Sequence, residues 1–475
     1  MKYNLILKQI VCVILFLTYS ESYAETNKKY GELIHRLDEI RITQNIPAFS
    51  FVIVDKDEII NSSTSGLMDL KTKKKLNIDT LIRIGSITKS FTALAILTLQ
   101  QKNKINLNDP IKKYIDDLPL KNPWRKTNPV RISHLLEHSA GLLDLSKAEF
   151  EFINAPDKSI KNTFAFQPGN RVIMWPPGMF ASYSNVGAGY LGYIIEKVTG
   201  LTYENYITDF ILKPLQMLDS SFFLNKQTEK KLATGYDSDG ITVIPYWHMI
   251  FRPFGAINTS TRQMASFVRL FLNDGKVDNI KFISKKNIRR MEIPETTLAT
   301  TVGLKYGYGL ANYTHLHKGL VFHGHGGDGD GYLTYYAYNR EIGQGYFIVI
   351  NAFNNSGLYQ MRMLIEDYIT DNTTKPIPTI VYHNINLKKF VGSYKSITYR
   401  MPWIGLDDSI VKIVLQENKL YKIMNGIKKQ LIPVNKFIFR LIDQTIATQA
   451  FIQDSEKMYF QNEDGNYIRI KSTKD

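Results

Sequence analysis

Cysteine is almost missing from this chain: among 475 residues there is one, Cys12. That excludes a disulfide framework and any multi-cysteine zinc or iron–sulfur site. Concentrated charge is missing too. Lys and Arg number 59 against 44 Asp and Glu, a net charge of +15, yet the longest unbroken basic run is Lys73-Lys74-Lys75. Aromatic residues lie inside apolar stretches rather than interleaved with the bases. The positive balance therefore bears on solubility and adhesion and points to no nucleic-acid partner. No stretch reaches the roughly 18 apolar residues of a membrane-crossing helix. Hydrophobic residues at 44% and charged residues at 22% are globular values, and the length suits about three domains, or one large domain with a smaller one.

The N-terminus reads as an export signal. Lys2 and Lys8 give a positive start, Ile10 to Leu17 an apolar run, and Ser22-Tyr23-Ala24 a small-x-small cleavage site. Residues 1–24 are expected to be this signal, and the protein to be periplasmic or secreted. Cys12 follows Val11 where lipidation wants a small residue, so it is not read as a lipid anchor.

Two textures follow. Residues 25–371 mix both periods. Ala48 to Val54 and Glu58-Ile59-Ile60 read as a hairpin around Asp55-Lys56-Asp57. Tyr332 to Tyr338 and Tyr346 to Ile350 read as another, opened by Asn339-Arg340-Glu341. Helical stretches lie between, notably Ser86 to Gln101 and Val186 to Val198. Strands at both ends with helices between predict a mixed α/β (α+β) domain with a largely antiparallel sheet. Residues 372–384 are polar and Pro-containing, a linker. Residues 385–475 alternate in short segments (Ile410 to Val414, Leu420 to Ile423, Lys436 to Arg440, Ala450 to Ile452, Tyr467 to Ile470), with turn residues about every ten positions. That spacing predicts a small antiparallel barrel or sandwich, a structural or substrate-gating module.

The chemistry concentrates in three places. Ser86 and Lys89 are three apart, so on a helix they face the same way. A serine in the first turn meets free backbone N–H groups, which favour developing negative charge. The helix behind is apolar nearly all round and should be buried. A lysine there loses hydration, favours its neutral form and can take a proton from the serine. The pattern alone is weak, because Ser409 and Lys412 repeat it on an alternating strand, where residues three apart face opposite ways. Tyr183 and Asn185, two apart before an apolar helix, can point into one cleft, the phenol relaying a proton and the amide holding a substrate carbonyl. His323-Gly324-His325-Gly326-Gly327-Asp328, before the Tyr332 strand, offers glycines that let a substrate approach the backbone.

Together these motifs resemble the serine β-lactamase and penicillin-binding-protein superfamily, in its class C-like branch, over most of residues 45–355. Ser86-Ile87-Thr88-Lys89 is similar to its Ser-x-x-Lys motif. Tyr183-Ser184-Asn185 resembles its Tyr-x-Asn element, and His325-Gly326-Gly327 stands where many members carry Lys-Thr-Gly or His-x-Gly. Ile132 to Leu142 and Leu107-Asn108-Asp109-Pro110 resemble further stretches of the family. The region from Leu387 to Tyr394 onward resembles a lipocalin-like barrel appended to some members.

The resemblance implies a β-lactamase-like sheet flanked by helices, an all-helical lobe and the C-terminal barrel. Ser86 would attack an acyl carbonyl, with Lys89 and Tyr183 handling the proton. Asn185, His325, Gly326 and Gly327 would bind substrate, and the backbone N–H groups of Ser86 and Asp328 would form the oxyanion hole. An acyl-enzyme on a peptide, amide or ester carbonyl follows, with no metal or organic cofactor implied. The substrate would be a small molecule or short peptide, cell-wall peptides included. His325 replaces a lysine that would stay charged, so recognition of a substrate carboxylate should be weaker or pH-dependent. That favours a D-amino-acid peptidase or esterase over a class C-like β-lactamase. A non-catalytic relative that binds peptides or a partner is the reading from another class. His134 to His138 also fits the zinc-peptidase pattern His-x-x-Glu-His, without a specified third ligand. His323 competes with His325 for the motif position, though Gly326-Gly327 favour His325.

Overall fold

The computed structural model describes residues 28–470 apart from 152–157, 278–279, 330, 372, 380, 399, 402 and 406–407, so the proposed signal at residues 1–24 lies outside the described residues. The main sheet has seven strands: β1 (Ala48–Val54), β2 (Ile59–Asp69), β3 (Lys74–Lys75), β4 (Tyr313–His317), β5 (Leu320–Gly329), β6 (Tyr332–Asn339) and β7 (Gln344–Ile350). Their order is β4-β5-β6-β7-β1-β2-β3, and every neighbouring pair is antiparallel. Both expected hairpins are present, joined to each other where β1 pairs with β7.

Both faces of this sheet are covered, which is why β1 reads Ala-Phe-Ser-Phe-Val-Ile-Val with little polar alternation. Phe49, Phe51 and Ile53 turn to one side, against α1 (28–43) and α5 (Asn355–Thr370). Ala48, Val52 and Val54 turn to the other, into the larger core built with α2 (Thr88–Gln101), α3 (Asn185–Thr199) and α4 (Thr261–Leu272). The helical lobe lies in the long excursion between β3 and β4. Within it α2 is buried from Thr88 through Leu99, as a helix apolar nearly all round must be. The α-helix begins at Thr88 rather than Ser86: Ser86 sits in the preceding 3-10 turn, Gly85–Ile87.

The C-terminal strands close into an eight-stranded antiparallel barrel: β8 (Gly392–Ser396), β9 (Ile410–Gln416), β10 (Lys419–Met424), β11 (Ile427–Pro433), β12 (Ile438–Leu441), β13 (Gln449–Asp454), β14 (Lys457–Gln461) and β15 (Asn466–Ile470). Pairing of β8 with β15 completes the ring and removes the open edges. Phe390, Tyr394, Phe439, Phe451 and Phe460 fill it. Three of these strands, β8, β11 and β14, are additional to those expected from alternation. A further apolar cluster joins the barrel to the larger domain: Phe180, Ala299 and Leu304 meet Ile438, Ala450, Ile452 and Tyr459.

Candidate active site

The 3-10 turn that carries Ser86 is pressed against strand β5, and glycine makes that approach possible. Gly85 has φ +52°, and a Cβ there would stand 2.3 Å from the Asp328 carbonyl oxygen and 2.6 Å from its nitrogen. A Cβ on Gly327 would stand 1.9 Å from the Ile84 carbonyl oxygen. Only hydrogen fits at either position. The backbone of Asp328 thus lies beside the turn of Ser86, where the family resemblance would put the oxyanion hole.

Lys89 lies one turn into the chain beyond Ser86. Its Nζ is 2.8 Å from Ser86 Oγ and donates to the Phe254 carbonyl at 2.8 Å. The side chain is buried, and loss of hydration is the main force on its proton affinity. Asp144 and Asp328 oppose that force and Arg400 adds to it, leaving the ammonium lowered to about 7. An amine that is half neutral near pH 7 can accept a proton from an alcohol at hydrogen-bond distance.

Tyr183 stands over the same group, with Lys89 Nζ 4.8 Å from its ring centroid. Burial raises its phenol well above the usual range, while its contact with Ser86 works the other way. The phenol therefore rests protonated, able to pass a proton on. Asn185 is the first residue of α3. Its backbone N–H donates to Asp144 Oδ1 at 2.6 Å and its Nδ2 to Asp144 Oδ2 at 3.2 Å. A carboxylate only accepts, so Asp144 turns the amide to present nitrogen, and the buried Oδ1 of Asn185 has no partner. In this orientation the amide's unused group is an acceptor, which suits a substrate N–H. Holding a substrate carbonyl, as expected from sequence, falls to the second Nδ2 hydrogen.

His325 comes from β5, and of the two candidate histidines it is the one lining the cavity with Ser86. His323 instead contacts Thr314 Oγ1 at 3.2 Å and approaches Glu292 at 4.0 Å. His325 Nδ1 faces the Gly326 carbonyl and so carries the hydrogen, which leaves Nε2 to accept from the Tyr308 hydroxyl at 2.6 Å. Burial, then the nearby Lys89, pushes the imidazolium down to about 3. A ring held neutral in this way offers a substrate carboxylate no positive charge.

The cavity has a volume of about 880 Å³ and brings together Ser86, Tyr183, Asn185, His325, Gly326, Gly327 and Asp328. Lys89 does not line it and meets it through its contact with Ser86. A second hollow of about 800 Å³, lined by Ile111, Leu118, Pro123 and Tyr190, holds no comparable nucleophile. The zinc-like run is otherwise engaged: His134 Nδ1 accepts from Arg131 N–H, His138 Nδ1 from Ser184 N–H, and Glu137 pairs with Arg290. Among the described residues, no group of three His, Cys, Asp or Glu side chains could hold a metal ion. In the second Ser-x-x-Lys copy, Lys412 is exposed on strand β9 rather than buried on an apolar helix.

Three neighbours of the site were not legible as such. His138 packs against Tyr183 with ring centroids 4.2 Å apart and the planes tilted by 37°. Asp144 anchors Asn185. Arg400, from the barrel, places its guanidinium carbon 4.6 Å from the centroid of the Tyr183 ring.

A Ser–Lys pair at the head of a buried helix, set against a sheet strand that carries a His-Gly-Gly motif, is the architecture of the penicillin-binding-protein-like class. The sequence model of the β-lactamase family matches residues 32–368, and the chain belongs to that family. It is 28% identical over 331 residues to Protein flp of Staphylococcus aureus strain MRSA252 and 30% identical over 331 residues to that of strain MW2, covering 68% of this chain each time. The chain spans 61% of the length of these relatives. Among solved structures it is similar to the octameric penicillin-binding protein homologue from Pyrococcus abyssi, with a TM-score of 0.59, 24% identity, and coverage of 92% of this chain and 99% of that one. It is also similar to SurE, with a TM-score of 0.61, 15% identity, and coverage of 94% and 99%. These two likenesses show the fold, barrel included.

Proposed function

We propose that the protein is a serine hydrolase that works through an acyl-enzyme on amide or ester carbonyls, of the D-amino-acid peptidase or esterase type. The observation that carries this is the 2.8 Å separation of Ser86 Oγ from a buried Lys89 amine lowered to about 7. Ser86 Oγ bonds to the substrate carbonyl carbon as its proton passes to Lys89. The backbone N–H groups of Ser86 and Asp328 receive the oxyanion. On collapse the bond to the leaving group breaks, and that group takes the proton from Lys89, with the protonated Tyr183 as relay. Water then attacks the ester and gives its proton to the same amine, and Ser86 leaves with a hydrogen restored.

Two features favour the peptidase or esterase reading over a β-lactamase. The first is His325, which is neutral where a lysine would attract the carboxylate of a β-lactam. A solved SurE structure contains D-Leu, which accords with D-amino-acid chemistry on this fold. The N-terminal sequence supports a periplasmic or secreted location, and among the described residues no helix is long and apolar enough to cross a membrane.

The test is covalent labelling with a fluorescent penicillin and a fluorophosphonate, followed by turnover of nitrocefin, short-chain p-nitrophenyl esters and D-Ala-terminated peptides. Labelled wild type, unlabelled Ser86→Ala, and turnover of esters or D-peptides ahead of nitrocefin are expected. Absence of both labelling and turnover in wild type would sink the enzyme and leave a peptide-binding protein.

A further inference from the structure

One wall of the cavity does not belong to the hydrolase domain. Arg400, Met401 and Trp403 line it, and they lie in the barrel between β8 and β9. This connection is bonded to the segment that follows His138. The Asp144 N–H donates to the Arg400 carbonyl at 3.1 Å, Arg400 Nε donates to Asp144 Oδ2 at 2.9 Å, and Trp403 Nε1 donates to the Leu145 carbonyl at 3.1 Å. A fourth bond runs from Asn466 Nδ2 of β15 to the Ala181 carbonyl at 2.7 Å, two residues before Tyr183.

Asp144 is the centre of this contact. Its side chain is fully buried, and its two oxygens accept from Leu145 N–H, Asn185 N–H, Asn185 Nδ2 and Arg400 Nε. A buried carboxylate left without a cation is costly, and among the described residues Arg400 reaches it by a direct bond. The same guanidinium lies over the Tyr183 ring, a cation–π arrangement. One barrel residue therefore bears on both side chains that flank the nucleophile: on Asn185 through Asp144, and on Tyr183 by its face.

Resting on the reading of Ser86 as nucleophile, we propose that Arg400 and Asp144 form a positioning pair through which the barrel holds Asn185 and Tyr183 in register with Ser86. The pair also has an electrostatic signature. Lys89 is faced by Asp144 and Asp328, by Arg400, and by the neutral rings of His138, His325 and Tyr183. Arg400 lowers the proton affinity of Lys89 and Asp144 raises it. Deleting one charge unbalances the two; deleting both restores the balance.

The experiment uses the full chain and four variants: Arg400→Ala, Arg400→Lys, Asp144→Asn and the double Arg400→Ala/Asp144→Asn. For the substrate turned over best in the panel, kcat and KM are measured across pH 5–9. Arg400→Ala is expected to lower kcat about 10- to 100-fold, the cost of misplacing groups by a fraction of an ångström to one ångström. The rise of kcat/KM should move to higher pH in Arg400→Ala, to lower pH in Asp144→Asn, and back near wild type in the double variant. Arg400→Lys keeps the charge and should keep the wild-type pH profile while recovering kcat only in part.

Unchanged kcat in Arg400→Ala overturns the proposal, as does a change confined to KM, which would make Arg400 a substrate contact alone. Shifts of the same sign in the two single variants also overturn it. Hydrogen exchange of peptides covering residues 182–188 gives a readout independent of chemistry. Faster exchange in Arg400→Ala supports the pair, and unchanged exchange refutes it. If wild type neither labels nor turns over any substrate, the nucleophile reading fails, and exchange still decides whether the barrel orders these residues.

Discussion

Lys89 Nζ lies 2.8 Å from Ser86 Oγ and 2.8 Å from the carbonyl oxygen of Phe254, so one amine joins the nucleophile to the loop behind the helix. The carbonyl fixes where the amine sits, and the serine receives what chemistry it can do. Both depend on a side chain cut off from water.

The rate should follow the neutral fraction of this amine. With Lys89 lowered to about 7, kcat/KM is expected to rise tenfold per pH unit below that value and to level off above it. Lys89→Ala should lose roughly 100- to 10,000-fold in kcat/KM, the usual worth of a positioned base. Lys412→Ala, in the exposed second copy of the motif, should be indistinguishable from wild type. A pH–rate profile of the three proteins checks this, and a Lys89→Ala enzyme with an unaltered acid limb contradicts it.

The same burial makes Lys89 a liability to stability. Its folded value near 7 lies below the roughly 10.4 of an unfolded lysine, so between these the unfolded chain binds the extra proton. The contribution of Lys89 to stability therefore rises with pH across that window and is at its worst below pH 7. Lys89→Met should be inactive yet at least as stable as wild type at pH 7, with the difference narrowing by pH 10. Chemical denaturation at the two pH values measures it.

His325 should not appear in the pH profile. Its imidazole is held down to about 3, so it stays neutral across the range in which activity is measured. His325→Gln retains an acceptor for the Tyr308 hydroxyl and is expected to lower kcat/KM while leaving the acid limb where it is in wild type. A limb that disappears in His325→Gln would transfer the titration from the lysine to the histidine.

The sequence was most informative where one physical demand recurs over many residues. The burial of α2 was plain because Phe91 to Leu97 carries scarcely a polar side chain. The paired hairpins were plain because turn residues separate β-branched and aromatic runs. Within the barrel, β11 carries no alternating signal because Ile427-Lys428-Lys429-Gln430 is solvent-facing and only its last residues are buried. In strand β14, Met458-Tyr459-Phe460 is buried on both sides, with Tyr459 against the hydrolase domain, so no alternation survives. Ser86, Lys89, Tyr183 and Asn185 were legible through spacing. Asp144 and Arg400 were not, because a separation of 256 positions carries no spacing signal and only the docked barrel brings them together.

Gly85 should tolerate no side chain. Its φ of +52° is one that other residues adopt at a cost, and a methyl group would overlap the Asp328 carbonyl at 2.3 Å. Relief requires the turn and β5 to part, which also moves Ser86 away from the backbone proposed to receive the oxyanion. Gly85→Ala is expected to lose at least about 2 kcal/mol of stability, since strain and overlap add. It should lose labelling as well. A stable and fully labelled Gly85→Ala would show that the close approach is dispensable.

The junction between the domains should be separable from the site by mutation. Phe180 is buried between the two, its ring centroid 5.2 Å from that of Tyr459 of β14, and it lies three residues before Tyr183. Phe180→Ala removes a large apolar group that neither the hydrolase core nor the barrel core can refill, at a cost of about 3 kcal/mol. Because that contact holds the domains together rather than filling either one, the loss should appear as lost coupling: one calorimetric transition in wild type, two in Phe180→Ala. The polar bonds of Asp144 to Arg400 survive this substitution, so labelling of Ser86 at 25 °C is expected to persist while the barrel stays docked and to fall in step with the first of the two transitions on heating. Labelling that outlasts that transition would mean the hydrolase domain keeps its site in order without the barrel.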